Sequence, residues 1–361
     1  ESDRSAALTQ STSPAAVGAI TFSDMKMESM VLTWSAPSGD APTGYIVYHE
    51  GDRKSVAYDG TGATATTATI SDLTGGTAYS YVVASLSGSG VGDVSAVATQ
   101  STSPATPLDL SSTLQTSTSI SLSWSASVVQ TNGEAVTGYK VYQDDAVEYE
   151  GSATTAAMTV DPGTLYAFAV SAVSAAGEGE LSSELSQSSA PGAPAAPTST
   201  HQTSTSISLS WTAPSSDSAS GDDATRYRVY DSSSAVLYDG EDAEYTHDGL
   251  AGGTSYSYTV SALSGSGEGD ASASSALYTS PGVATGLTAS DQTTSSIKLD
   301  WTAPSVASET PVLGYKVYER VIHELSDVGS GTLPDSALQT MLSGSTDRVV
   351  VDSVVYDGRA V

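Results

Sequence analysis

The sequence predicts an all-β chain of tandem sandwiches, and three observations carry that prediction. Four tryptophans, Trp34, Trp124, Trp211 and Trp301, recur at spacings of 90, 87 and 90 residues, so one structural unit is repeated. Each closes an alternating stretch: Met30-Val31-Leu32-Thr33-Trp34, then SISLSW (119–124), SISLSW (206–211) and SIKLDW (296–301). Apolar residues at every second position put one face of a strand in a core and the other in water. Amphipathic helical periods are nearly absent.

The elements follow in a fixed order. Three of the four tryptophans precede Ser/Thr-Ala-Pro, which ends the strand because proline cannot continue a ladder. A second strand comes next: GYIVY (44–48), GYKVY (138–142), RYRVY (226–230) and GYKVY (314–318), with Tyr45 and Val47 on one face. A tag follows, Tyr58-Asp59-Gly60, Tyr149-Glu150-Gly151, Tyr238-Asp239-Gly240 and Tyr356-Asp357-Gly358. A Thr-rich strand leads to Leu73-Thr74-Gly75-Gly76-Thr77-Ala78-Tyr79, matched by Gly163-Thr164-Leu165-Tyr166 and Leu250-Ala251-Gly252-Gly253-Thr254-Ser255-Tyr256. These tyrosines open alternating strands that run into the glycine-rich turns SGSGVGD, SAAGEGE and SGSGEGD. Seven short strands per unit, with turn signals between them, predict a sandwich whose Trp meets Tyr and Val from the facing sheet.

This succession resembles tandem fibronectin type III domains, which are immunoglobulin-like β-sandwiches. The resemblance implies that Tyr79, Tyr166 and Tyr256 form a tyrosine corner, each hydroxyl bonding back to the chain upstream. The fourth unit departs from the pattern, and the second lacks the leucine before its corner. Structural-core positions are Trp34, Trp124, Trp211, Trp301, Tyr79, Tyr166 and Tyr256. The units divide as 14–104, 105–191, 192–281 and an incomplete 282–361. Residues 1–13 read as the final strand of a preceding repeat, because TQSTSPA occurs at 9–15 and again at 99–105. Beginning at Glu1, the chain reads as processed or as a window on a longer array. Completion of the fourth unit by another molecule's N-terminal strand is the competing expectation.

The fourth unit carries an insertion at about 320–355. Its tyrosine-to-tag distance is 38 residues (Tyr318 to Tyr356), against 10, 7 and 8 in the others. Asp335 is placed to cap a short helix bearing Leu338, Met341 and Leu342, ending at Gly344, and the apolar stretches at 320–325 and 349–355 lengthen the adjoining hairpin. His323, Leu325, Leu338, Met341, Leu342, Val349 and Val351 form the candidate interaction surface. A docking face and a loop folded onto its own domain are both open readings.

Charge and composition narrow the function. Twelve Lys and Arg against 41 Asp and Glu give a net charge of −29, which argues against nucleic acid and anionic membranes as partners. No apolar run is long enough for a transmembrane helix. Cysteine is absent, so no disulfide or thiolate metal site forms. His49, His201, His247 and His323 have no histidine at ligand spacing, and no nucleophile–base pair recurs with the repeat, so neither catalysis nor a cofactor is expected. Glu178, Glu180, Glu268 and Asp270 lie in turns near domain ends as candidate calcium ligands, but the connectors hold a single carboxylate between them. The sole asparagine, Asn132, precedes Gly-Glu and excludes N-glycosylation, leaving the Ser/Thr runs of the connectors as O-glycan candidates or plain solvated loops.

Short, proline-bearing connectors predict a semi-rigid rod. The expected protein is a non-catalytic extracellular or cell-surface structural element of a filament, fibre or adhesin. It would self-associate or bind neighbouring structural proteins. The alternative is a spacer in a larger secreted enzyme or receptor.

Overall fold

The computed structural model describes residues 12–39, 41–50, 53–128, 132–215, 222–306, 312–324 and 348–359. The proposed preceding strand (apart from Thr12 and Ser13) and the helix expected after Asp335 lie outside the described residues. Among the described residues there is no helix.

The first repeat forms β1 (Thr21–Ser23), β2 (Met30–Thr33), β3 (Gly44–His49), β4 (Val56–Thr61), β5 (Thr67–Ile70), β6 (Ala78–Ser87), β7 (Gly90–Val94) and β8 (Ala98–Ser101). The second forms β9 (Leu108–Gln115), β10 (Ser119–Ser125), β11 (Gly138–Gln143), β12 (Ala146–Gly151), β13 (Thr155–Thr159), β14 (Leu165–Ser174), β15 (Gly177–Glu178) and β16 (Leu185–Ser188). The third forms β17 (Thr198–Gln202), β18 (Ser206–Ser210), β19 (Arg226–Tyr230), β20 (Val236–Gly240), β21 (Glu244–Asp248), β22 (Ser255–Ser264), β23 (Gly267–Ala271) and β24 (Ser275–Tyr278). Each of these three repeats builds the same two sheets. The smaller has orders β1-β2-β5, β9-β10-β13 and β17-β18-β21; the larger has β4-β3-β6-β7, β12-β11-β14-β15 and β20-β19-β22-β23, with β8, β16 and β24 pairing β6, β14 and β22. By contacts the chain forms two compact units, residues 1–193 with 214–226 and 261–270, and residues 194–213 with 227–260 and 271–361. The first contains the first two sandwiches whole.

The alternating strands bury one face each, as their pattern requires. Met30, Leu32, Trp34, Tyr45, Val47, Ile70, Tyr81 and Val83 form the first core, and Ile120, Leu122, Trp124, Tyr139, Val141, Met158, Phe168 and Val170 the second. Where the second repeat lacks the corner leucine, Val160 is buried as Leu73 and Leu250 are in their repeats.

The expected seven strands become eight segments, because the last strand of each sandwich is broken by a serine. Ser95 donates its N–H to the Val83 carbonyl at 2.9 Å, and its hydroxyl oxygen accepts the Val83 N–H at 3.0 Å. Ser182 and Ser272 do the same for Val170 and Val260. A side-chain oxygen thus stands in for a ladder carbonyl, so the strand bends without orphaning its neighbour's donor.

The fourth repeat has β25 (Thr285–Ser290) paired with β26 (Lys298–Thr302) and β27 (Gly314–Glu324) paired with β28 (Arg348–Arg359). Its hairpin strands are 11 and 12 residues long against 6 and 6 for β3 and β4, so the apolar flanks of the insertion extend the ladder. Ile297 and Leu313 are 60% and 77% exposed, whereas Ile120 and Ile207, the counterparts of Ile297, are 0% exposed.

Candidate functional site

The Tyr-Asp-Gly tag has a physical basis. A Cβ on Gly60 would sit 2.6 Å from the Tyr58 ring, and Gly151 and Gly240 are covered by Tyr149 and Tyr238 in the same way. Glycine therefore lets the tag tyrosine lie across the strand. Tyr149 and Tyr238 thereby reach Trp124 and Trp211, edge to face at 6.3 and 6.2 Å. The tag's acidic residue faces the middle of the GYxVY strand. Glu150 is opposite Lys140, Asp239 opposite Arg228 and Asp357 opposite Lys316. In the first repeat Asp59 faces Ile46 and instead accepts from the Thr61 hydroxyl and N–H, which hold its carboxyl below the ordinary value.

The tyrosine corner is closed by a second group. Thr74, Asp161 and Ala251 donate their N–H to the hydroxyls of Tyr79, Tyr166 and Tyr256 at 2.8, 2.8 and 2.9 Å. The carbonyls of those same residues accept from the hydroxyls of Thr102, Ser189 and Thr279 at 2.7, 2.6 and 2.7 Å. Each of these hydroxyl oxygens also accepts a backbone N–H, from Thr77, Thr164 or Thr254, at 3.1, 3.0 and 3.0 Å. One residue is thus clamped through both its N–H and its C=O. Gly76, Gly163 and Gly253 turn the chain there with φ of 63°, 62° and 61°, a left-handed conformation that favours glycine. The sequence reading missed the exit hydroxyls, although their recurrence at one place before each exit proline was a usable signal.

The outward face of the larger sheet differs between repeats. In the second, Glu178 accepts from Tyr142 at 2.5 Å, Ser171 at 2.6 Å and Lys140 at 3.0 Å. Burial pushes the Glu178 carboxyl up, but these donors outweigh it and hold it below the ordinary value. A carboxyl with a lowered folded pKa stabilises the fold above its unfolded pKa, and that contribution is lost as pH falls through the folded value. The second repeat is therefore expected to weaken on acidification below about pH 4.3. Glu178→Gln should flatten that dependence in urea titrations between roughly pH 3 and 6. The third repeat keeps the pair as Ser261 and Glu268, 2.5 Å apart. The first substitutes Ala84 and Val91, and there Tyr48, Val82 and Ala84 form an apolar cluster with Ile46 and Val94.

One core position carries three solutions. In the third repeat Tyr258 bonds His247 Nδ1 at 3.1 Å, and burial pushes the Tyr258 phenol up to about 12. In the second, Met158 and Phe168 occupy these places without polar atoms. In the first, Ile70 replaces the histidine, and the buried Tyr81 hydroxyl has no partner among the described residues. Tyr81→Phe is accordingly expected to stabilise the first repeat by about 1 kcal/mol, and Tyr258→Phe to destabilise the third by about 1–2 kcal/mol. Urea midpoints of the two variants give opposite signs if this is right.

The four tryptophans all meet the tyrosine of the GYxVY strand edge to face: Trp34–Tyr45 at 5.4 Å, Trp124–Tyr139 and Trp211–Tyr227 at 5.7 Å, and Trp301–Tyr315 at 5.2 Å. The first three are buried and Trp301 half-buried. Of the candidate interaction surface, Leu325, Leu338, Met341 and Leu342 lie outside the described residues, whereas His323 pairs with Val349, and Val351 with Val321, in the β27–β28 ladder. The structure brings those three together on one hairpin. Three of the four candidate calcium ligands are engaged by other groups: Glu178 as above, Glu268 by Ser261, and Asp270 by Ser117. Among the described residues no group of three or more His, Asp or Glu is placed to hold a metal ion.

A family model for the fibronectin type III domain matches residues 15–101, 105–188 and 192–277. The chain is 37% identical over 178 residues, 46% of its length, to chitinase A1 of Niallia circulans, and 31% identical over 239 residues, 60% of its length, to exoglucanase B of Cellulomonas fimi. It is 26% identical over 349 residues, 93% of its length, to receptor-type tyrosine-protein phosphatase eta of Gallus gallus. It spans only 24%, 21% and 24% of these relatives' own lengths. The solved FN1–FN3 domains of chicken CNTN1 match at a TM-score of 0.28 and 18% identity, covering 74% of this chain and 100% of that one. With the family match extending over well more than half its length, the chain belongs to the fibronectin type III family, as a tandem array of all-β sandwiches.

Proposed function

We propose that the chain is a non-catalytic spacer array within a larger extracellular or cell-surface protein. The carrying observation is that it matches about a quarter or less of relatives whose named activities differ: a chitinase, an exoglucanase and a receptor phosphatase. What unrelated activities share is the part that separates domains rather than the part that reacts. Short connectors bearing Pro104, Pro107, Pro191, Pro194 and Pro197 have the stiff composition that a spacer uses. The acidic surface suits a salt-rich medium, where a Debye length of roughly 3–8 Å limits self-repulsion. O-glycans belong on exposed hydroxyls beside the connectors, such as Thr198 at the start of β17, because Ser101, Thr102, Ser103 and Ser189 are buried.

Sedimentation equilibrium of residues 1–361 tests the reading. Monomers at all concentrations are expected of a spacer. Concentration-dependent polymers would overturn it in favour of a filament, fibre or adhesin that works by self-association. In that event deleting residues 321–350 reports whether the insertion is the docking point, since assembly should then be lost with the first three repeats still folded.

A further inference from the structure

Each complete repeat receives the segment that enters it through a glycine. A Cβ on Gly92 would lie 2.6 Å from the carbonyl oxygen of Pro14, and the Asp93 N–H donates to that oxygen at 3.1 Å. At Gly179 and Gly269 the nearest atoms to a Cβ are the carbonyl oxygens of Pro104 and Pro191, closer still. All three glycines are the second of the Gly-x-Gly turn, and all three prolines end an exit segment: Thr12-Ser13-Pro14, Thr102-Ser103-Pro104 and Ser189-Ala190-Pro191.

We propose that the pole of each repeat bearing the Gly-x-Gly turn is a docking surface for the exit segment of another repeat of this kind. The partner's chemistry is a hydroxyl residue, a small residue and a proline, presented as an extended strand end. The glycine admits it because the missing Cβ leaves room for the proline carbonyl to lie against the backbone. The joint between the first two repeats shows how little slack results. Thr102 is held at the base by the Thr74 carbonyl of its own repeat, and two residues later Pro104 is seated on Gly179 of the next. Pro104 is itself buried. A second contact closes the other side of this joint. The backbone at Gly133 comes so close to the Gly76 carbonyl that no Cβ fits, and the Val128 carbonyl lies 3.5 Å from a Cβ built on Gly76. Neighbouring repeats joined in this way add an interface contribution at the joint to the stability that each repeat holds by itself.

Amide hydrogen exchange on the whole chain, resolved by peptide, tests the joint through Gly179→Ala. The expected result is at least about a tenfold rise in exchange at both 102–108 and 177–181, with β14 (165–174) still protected. Gly88→Ala, at a turn where a Cβ meets nothing within 4 Å, should change neither segment. Unchanged exchange at 102–108 overturns the proposal, including the case in which only 177–181 responds. If Gly179→Ala instead unfolds the second repeat, a two-glycine insertion between Pro104 and Ala105 decides the matter. The same rise at 102–108 with β14 protected supports the docking surface, and wild-type exchange there rejects it.

Discussion

Replacing Trp124 by alanine is expected to cost the second repeat about 3–5 kcal/mol, most of the stability a domain of this size holds. The indole is 5% exposed and touches both tyrosines that define the repeat, Tyr139 at 5.7 Å and Tyr149 at 6.3 Å. Its removal leaves a cavity between the two sheets that Ile120, Leu122 and Val141, held on strands, cannot refill. The indole nitrogen has no hydrogen-bond partner among the described residues, so Trp124→Phe loses volume but no bond and should cost roughly half as much. Peptide-resolved hydrogen exchange gives the reading. Protection of β10, β11 and β14 should fall to the level of a largely unfolded repeat in the alanine variant, while β2, β3 and β18 keep theirs. A second repeat that stays fully protected would mean that the Trp does not hold the sheets together.

The double clamp on Asp161 carries the second large effect. Ser189→Ala removes a buried hydroxyl that both donates to the Asp161 carbonyl and accepts the Thr164 N–H. The expected cost is about 1–3 kcal/mol, because a half-buried N–H of Thr164 and the Asp161 carbonyl both lose their partner. Tyr166→Phe removes the acceptor for the Asp161 N–H and should cost about 1–2 kcal/mol. Both substitutions release the same residue, so the double variant should fall short of their sum by about 0.5–2 kcal/mol. Urea unfolding of the four proteins of the cycle measures this coupling. Strict additivity would mean that corner and exit segment act independently.

The repeat, its strands and its buried tryptophans were legible because each is a local pattern. The alternation in SISLSW names its inward residues before any partner is known, and Trp124 buries because its whole strand does. The tag glycines were legible as a recurrence but not as a cause, since the reason for Gly151 is a ring from two residues away lying over it. The connectors misled most. A run such as Ser101-Thr102-Ser103-Pro104 has the composition of a solvated loop, yet these residues are buried. What buries them is an orphan carbonyl 28 residues upstream and a glycine in the next repeat.

The sequence by itself determined the kind of sandwich, the inward face of each alternating strand and the tyrosines of the corner. Periodicity and turn chemistry act between near neighbours, and they repeat with the unit. Only the tertiary structure decided which hydroxyls close the corner, why each last strand breaks at Ser95, Ser182 or Ser272, and how one repeat's exit proline is received by the next. Those are pairings of single polar atoms across long stretches of chain. A hydroxyl in a Ser/Thr-rich sequence carries no mark of its acceptor until the fold has brought the two within hydrogen-bond reach.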